Sequence, residues 1–216
     1  MYFMGNNIKR INNPAKPSMH ILFLGYDQIQ TKIINELMNK NCCIDHTDQP
    51  ITKINDYDLI ICYGYRHILK KELIHTIKCP IFNLHISYLP FNRGSHPNFW
   101  SFYDQTPSGV TIHLIDEGID TGPIVYQKYV NFDEGEITFE QTYLRLKKEI
   151  EKLFIENITN ILSNLWLSMP QKGDGSVHYI KDLPKNFSGW KSNIKDEIKK
   201  LKKEKLQNEK QKNLYR

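Results

Sequence analysis

The sequence predicts an α/β protein built on a mostly parallel, doubly wound sheet. Three observations carry that expectation. Short apolar runs that stop at a glycine, 20–24 before Gly25 and 58–63 before Gly64, read as buried strands. Segments with helical spacing separate them, as parallel neighbours require. A long apolar stripe from Tyr143 to Leu165 repeats at helical intervals and reads as a core-packing face.

Taken in order, residues 1–18 are rich in Asn and Lys and lack the apolar run of a signal peptide. They are expected to form a mobile extension. Strand 20–24 follows, then a helix over 28–41 carried by Ile33, Ile34, Leu37 and Met38. Residues 58–63 contain Leu59-Ile60-Ile61-Cys62, a buried strand. A helix is expected over 68–76, broken by Cys79-Pro80 before a strand over 81–86. Pro97 suits the first turn of a short helix over 97–103. Strands over 110–115 and 124–130 flank a loop, 116–122. Thr138 with Gln141 fits a capping box opening the long helix. Its stripe runs through Tyr143, Leu146, Ile150, Leu153, Phe154, Ile158, Ile161, Leu162 and Leu165. The expected division is a main domain over 19–168, a loop and strand segment over 169–187, and a Lys-rich tail over 188–216. That tail reads as a solvated or docking helix, or as partly disordered.

Bulk properties restrict the function. The 216 residues suit one domain with a sizeable core. No apolar stretch reaches the ~18 residues of a membrane-spanning helix, so no membrane partner is expected. Cys42 and Cys43 are adjacent, and with Cys62 and Cys79 they form no CxxC pair and no Cys/His cluster. A reduced, cytoplasmic protein without a metal is the expectation. The net charge of +5 resides in the tail, where 188–216 holds ten Lys/Arg against four Asp/Glu. The body is close to neutral, so charge makes no case for a nucleic-acid partner.

The chemistry concentrates between residues 83 and 123. Side chains alternate along a strand, so Asn83, His85 and Ser87 share one face at its carboxyl end. Gly118-Ile119-Asp120-Thr121-Gly122 sets a carboxylate between two glycines on a tight loop, with Asp116 as the competing carboxylate. An amide, an imidazole and a carboxylate are the groups that polarise a carbonyl and move a proton. Ligands of open α/β sheets bind beyond the carboxyl ends of strands, where 63–68, 83–98 and 116–122 converge. The first strand lacks GxGxxG, so a dinucleotide site is unsupported. Ser87 reads as a loop-orienting residue, and His113, in mid-strand, as a structural one.

The blocks Asn83-x-His85-x-Ser87-x-Leu89-Pro90 and Asp116-x-Gly118-x-Asp120-Thr121-Gly122 resemble those of the folate-dependent N-formyltransferases, over about residues 20–165. The resemblance implies a Rossmann-like formyltransferase domain using N10-formyltetrahydrofolate as co-substrate. It implies Asn83, His85 and Asp120 as the catalytic constellation, and Tyr65, His67, Leu69 and Asp116 around the pterin. In such a transfer Asn83 would donate to the developing oxyanion, while His85 and Asp120 would strip the amine proton.

Departures from the family pattern sort its branches. Gly25-Tyr26-Asp27-Gln28 offers no nest of phosphate-binding donors, as glycinamide ribonucleotide members have. About fifty residues follow the long helix, where methionyl-tRNA members carry a barrel domain. The block 88–100 looks closest to the sugar-modifying members. The expected acceptor is therefore the amine of an amino-deoxy sugar nucleotide, met by Ser87, Arg93, His96 and Trp100. Arg93 is expected to pair with its pyrophosphate. The alternatives are a compact methionyl-tRNA-type or glycinamide-ribonucleotide-type enzyme, or a non-catalytic folate or nucleotide-sugar binding module. A homodimer is compatible with the resemblance.

Overall fold

The computed structural model describes residues 7–214; the expectations for 1–6 and 215–216 lie outside the described residues. In chain order the elements are β1 (Lys9–Arg10), β2 (His20–Gly25), α1 (Ile33–Asn39), β3 (Cys43–Thr47), β4 (Leu59–Tyr63), α2 (Lys71–Ile74) and β5 (Ile81–His85). There follow β6 (Arg93–Gly94), α3 (Pro97–Tyr103), β7 (Gly109–Leu114), β8 (Ile124–Tyr129), α4 (Phe139–Leu162), β9 (Val177–His178) and α5 (Ile194–Leu214).

A seven-stranded sheet runs β1-β3-β2-β4-β5-β7-β8. Its centre, β3-β2-β4-β5, is parallel, while β1, β7 and β8 pair antiparallel to their neighbours. The 115–123 connection is too short for the crossover that a parallel pair needs, so β8 returns as a hairpin strand. The sheet is thus parallel at its heart and mixed at both edges.

Period-two alternation divides the core. Ile21, Phe23, Ile61, Phe82 and Leu84 face α1 and α4, whose Ile33, Leu37, Leu146, Ile150 and Phe154 cover them. Leu22, Leu24, Ile60, Cys62 and Ile81 face the other way, onto Leu69 and Leu73. On β5, with Phe82 and Leu84 turned toward α4, Asn83 and His85 are turned to the opposite face.

Several boundaries differ from expectation, each for a local reason. The first helix starts at Ile33 because the Asp27 carboxylate accepts the Ile29 and Gln30 N–H groups at 2.9 and 3.0 Å, forming a turn that competes with helix. The helix expected over 68–76 is a single turn, α2. The α4 stripe stops at Leu162; Asn164 turns left-handed at φ 54° and Leu165 is exposed. The capping box at its start is formed, with Thr138 and Gln141 bonded reciprocally.

Part of the segment expected to be mobile is pinned. Lys9–Arg10 pair with β3, and Arg10 is ion-paired with Asp45. Asp45 also accepts from the Tyr57 hydroxyl at 2.9 Å. Asn12 brackets β3 by donating to the Cys42 carbonyl and accepting from the Ile44 N–H, both at 2.8 Å. At the other end, α5 docks through Ile194, Ile198 and Leu201 onto an aromatic cluster of Phe99, Trp100, Phe139 and Phe187. Among the described residues no helix is long and apolar enough to cross a membrane.

Candidate active site

The end of β5, the neighbouring β7 and the 115–123 loop bring four polar side chains together. Asn83 Nδ2 donates to Asp120 Oδ1 at 2.9 Å and lies 3.1 Å from His113 Nε2. His113 stands directly across from Asn83 in the β5–β7 register. Its Nδ1–H donates to the Leu114 carbonyl at 2.8 Å, which leaves Nε2 to accept from Asn83. Both hydrogens of the Asn83 amide nitrogen are therefore engaged. The oxyanion role expected for Asn83 requires one of those two bonds to open. His113, read from sequence as structural, is part of this cluster and also lies 3.4 Å from Asp120 Oδ1.

Asp120 sits at φ 51°, a left-handed conformation that Asp tolerates better than most residues. Its Oδ2 accepts the Gly94 N–H at 2.8 Å and lies 3.6 Å from His85 Nδ1. Gly122 closes the same loop, where an added Cβ would run into the Leu114 carbonyl oxygen. Asp116 serves the loop itself, accepting from the Gly118 N–H at 3.0 Å and the Thr121 hydroxyl at 2.6 Å.

Burial pushes the His85 imidazole below its ordinary pKa, with Asp120 opposing that shift only in part. Burial pulls the Asp120 carboxyl upward, but the charge that His85 takes on in acid and the Gly94 N–H outweigh it and hold it well below the carboxylate range. At neutral pH an ionised carboxylate thus adjoins a neutral imidazole. With Nε2–H donating to the Asn92 carbonyl at 3.3 Å, His85 Nδ1 carries the lone pair. Protonation of Nδ1 would leave the ring flanked by an acceptor at each nitrogen. The arrangement is that of a proton acceptor whose charged form is provided for in advance.

The remaining sequence-derived residues fall into distinct settings. Tyr65 and His67 follow β4 with rings 5.3 Å apart; the Tyr65 hydroxyl donates to the Gln49 carbonyl, and burial pushes its phenol up to about 12. Leu69 is buried in the core beside Leu73. Ser87 is buried, and its hydroxyl has no partner. One acceptor expectation is narrowed and another corrected. Arg93 directs Nε and Nη2 at Gln171 Oε1, 3.1 and 2.8 Å away, so a pyrophosphate would have to draw on Nη1 or displace the Gln171 amide. Trp100 is only 6% exposed, with one ring face covered by His178 at 3.9 Å, so it offers no platform for a ligand.

His96 lines a cavity of about 350 Å³ together with Ile86, Asn98, Phe139, Tyr143 and Trp190. Ile86 is the residue after His85. Asn98 is 4% exposed; its Nδ2 donates to the Phe139 carbonyl at 2.8 Å, while its Oδ1 has no partner. Trp190 stands 5.2 Å from the His96 ring. The sequence alone assigned no site role to Asn98, His113 or Trp190. The one available signal was Trp190, an aromatic residue in a Lys-rich stretch.

Among the described residues no three His, Cys, Asp or Glu side chains are grouped to hold a metal ion. The sequence profile of the formyl transferase family matches residues 30–158. The crystal structure of the formyltransferase PseJ from Anoxybacillus kamchatkensis, in complex with UDP-4,6-dideoxy-4-formamido-L-AltNAc and tetrahydrofolate, superposes with a TM-score of 0.75. It is 38% identical, and the match covers 82% of this chain and 96% of that one. Methionyl-tRNA formyltransferase of Thermodesulfovibrio yellowstonii is 33% identical over 132 residues, 61% of this chain and 41% of that protein. The dTDP-4-amino-4,6-dideoxyglucose formyltransferase of Mycobacterium bovis is 28% identical over 130 residues, 60% of this chain and 54% of that protein. The chain spans about half the length of these curated relatives.

Proposed function

The chain belongs to the formyl transferase family, and on that premise we propose that it moves the formyl group of N10-formyltetrahydrofolate to the amine of a nucleotide-linked amino-deoxy sugar. The observation that carries this reading is the neutral His85 beside the ionised Asp120, with the Asn83 amide on the same carboxylate.

When bound, the folate supplies an electrophilic formyl carbon. His85 Nδ1 takes the proton that the attacking amine loses as its C–N bond forms. Asp120 and the Asn92 carbonyl stabilise the imidazolium, which returns the proton to the departing nitrogen as the old C–N bond breaks. Asn83 turns an N–H from His113 or Asp120 toward the oxygen that gains charge, an effect of about 3 kcal/mol for comparable donors. No covalent enzyme intermediate is needed.

The acceptor end is supported by the extent of the similarity to PseJ, whose structure holds a UDP-linked formamido sugar. It is also supported by the cavity beyond Ile86. Trp190 offers a ring face for stacking, and the unpartnered Asn98 Oδ1 calls for an N–H from a ligand. A cytoplasmic setting belongs to the same proposal and is supported by four free cysteines.

The test is to incubate the protein with N10-formyltetrahydrofolate and a panel of UDP- and dTDP-linked amino sugars, following the mass gain of one formyl group. Formylation of a panel member is the expected result. Reaction only with glycinamide ribonucleotide or charged tRNA would overturn the acceptor assignment.

A further inference from the structure

We propose that residues 169–178, which lie beyond the stretch matched by the family profile, hold the carboxylate and the imidazole of the site in register, with Gln171 and Ser176 as positioning residues. The chemistry named here rests on the formyl-transfer reading; the geometry does not.

Gln171 fastens the Asp120 loop through its main chain. Its Nε2 donates to the carbonyls of Asp120 and Gly122, both at 2.8 Å. Those two carbonyls flank Thr121, so a single amide spans the turn in which Asp120 takes its left-handed conformation. The other end of the same amide, Oε1, is gripped by the Arg93 guanidinium. Arg93 in turn precedes Gly94, whose N–H holds the Asp120 carboxylate. Main chain and side chain of Asp120 are therefore tied to one short strand, β6, by two routes. Gln171 makes one of them.

Ser176 does the corresponding task for His85. Its hydroxyl accepts the Asn92 N–H at 2.8 Å and reaches Asn92 Oδ1 at 3.2 Å. Asn92 is fully buried and left-handed, at φ 57°, and its carbonyl is the partner of His85 Nε2. The surrounding backbone closes the arrangement. Ser176 N–H donates to the Pro90 carbonyl and Arg93 N–H to the Ser176 carbonyl, while β6 and β9 pair in parallel. At Gly175, φ is 63° and an added Cβ would meet the Pro90 carbonyl oxygen, so the strap lies directly on the 90–94 turn. Asp120 is thus bonded directly to 169–178, and His85 is joined to it through Asn92. A misplacement of about 1 Å in such groups costs on the order of a hundredfold in rate.

Four full-length variants test the proposal. Gln171→Met fills nearly the same volume without donor or acceptor, and Gln171→Glu keeps an acceptor for Arg93 without an N–H for the carbonyls. Ser176→Ala deletes the hydroxyl and Ser176→Thr retains it. In both Gln171 variants and in Ser176→Ala, kcat is expected to fall roughly tenfold to a hundredfold, with both KM values within about threefold. The acid limb of the pH–rate profile should move to lower pH, because His85 loses a fixed acceptor, and Ser176→Thr should restore it. Wild-type kcat with an unmoved acid limb in all variants would overturn the proposal. So would losses of kcat that track losses of thermal stability and include Ser176→Thr. Titration of the His85 Cε1–H resonance gives the same reading without turnover, and identical curves in wild type and variants would also overturn it. Altered curves in a protein that formylates nothing on the panel would leave this proposal standing and remove the functional one.

Discussion

His113 Nε2 accepts from the Asn83 amide at 3.1 Å, across the antiparallel pairing of β5 and β7. The His113 ring is buried, and its Nδ1–H is committed to the Leu114 carbonyl, so its tautomer is determined by its surroundings. Replacing His113 by Leu leaves a partly buried N–H of Asn83 without its acceptor, a loss of about 1–3 kcal/mol. The expected outcome is a roughly tenfold lower kcat and a lower melting temperature, read by steady-state kinetics and calorimetry. His113→Gln, which keeps an acceptor, should recover most of both.

Asp120→Asn retains a residue type that tolerates the left-handed turn and removes the charge beside His85. The expected loss of kcat is about 10²–10⁴-fold, the range for general acid–base assistance, with KM values changed far less. Single-turnover formyl transfer followed by mass spectrometry checks it. A loss below threefold would remove Asp120 from the mechanism.

The pH dependence has a definite sign. His85 is held below its ordinary value of 6.5, and it must be neutral to accept a proton. The rate should therefore be at its plateau above 6.5 and fall as acid takes the imidazole through its lower folded value. Stability follows the same direction. The unfolded chain binds the His85 proton first, so stability present above 6.5 declines as pH drops through the folded value. Asp120 adds a second decline, beginning near its ordinary 3.8 and continuing through its depressed folded value. Profiles of kcat/KM from pH 8 to 3 test the first window, and urea midpoints carried on below pH 3 test the second. An acid limb centred above 6.5 would contradict the assignment.

Trp190→Ala removes the exposed ring face of the cavity. Stacking of a base on an aromatic side chain is worth about 1–3 kcal/mol. The acceptor KM should rise about tenfold while the KM for the folate co-substrate stays constant. Equal rises in both would show that Trp190 supports the fold and not the acceptor.

Thr138→Ala breaks the capping box of α4, in which Thr138 Oγ1 accepts the Gln141 N–H at 3.2 Å and Gln141 Oε1 accepts the Thr138 N–H at 3.0 Å. The loss of such a cap costs about 1 kcal/mol, or roughly 2–4 °C in a chain of this size. Because the cap touches none of the four polar residues at Asp120, kcat at 25 °C should be unchanged.

What the sequence revealed was local. Period-two alternation puts Asn83 and His85 on one face, and Pro97 and the Thr138/Gln141 pair mark helix starts that the structure contains. What it hid depends on partners remote in the chain. His113 joins Asn83 only through the β5–β7 register, which no local pattern encodes. Trp100 reads more readily as core than as a platform, and only His178, lying on it, decides between the two. The Arg93 fork looks free until Gln171 is seen at its tip. Strand direction was hidden for a similar reason, because apolar alternation is the same whether a strand such as β7 runs up or down the sheet.

Three residues close to the site, Asn92, His96 and Asp120, turn the chain at φ 57°, 56° and 51°. Each is a corner and a chemical group at once: a carbonyl for His85, a wall of the cavity, a carboxylate for the imidazole. Glycine at any of them would keep the corner and discard the chemistry, while a β-branched residue would strain the corner as well. Acceptor preference in this protein therefore has little room to diverge through these three corners. It is freer to change at Asn98 and Trp190, which line the cavity without a left-handed turn to maintain.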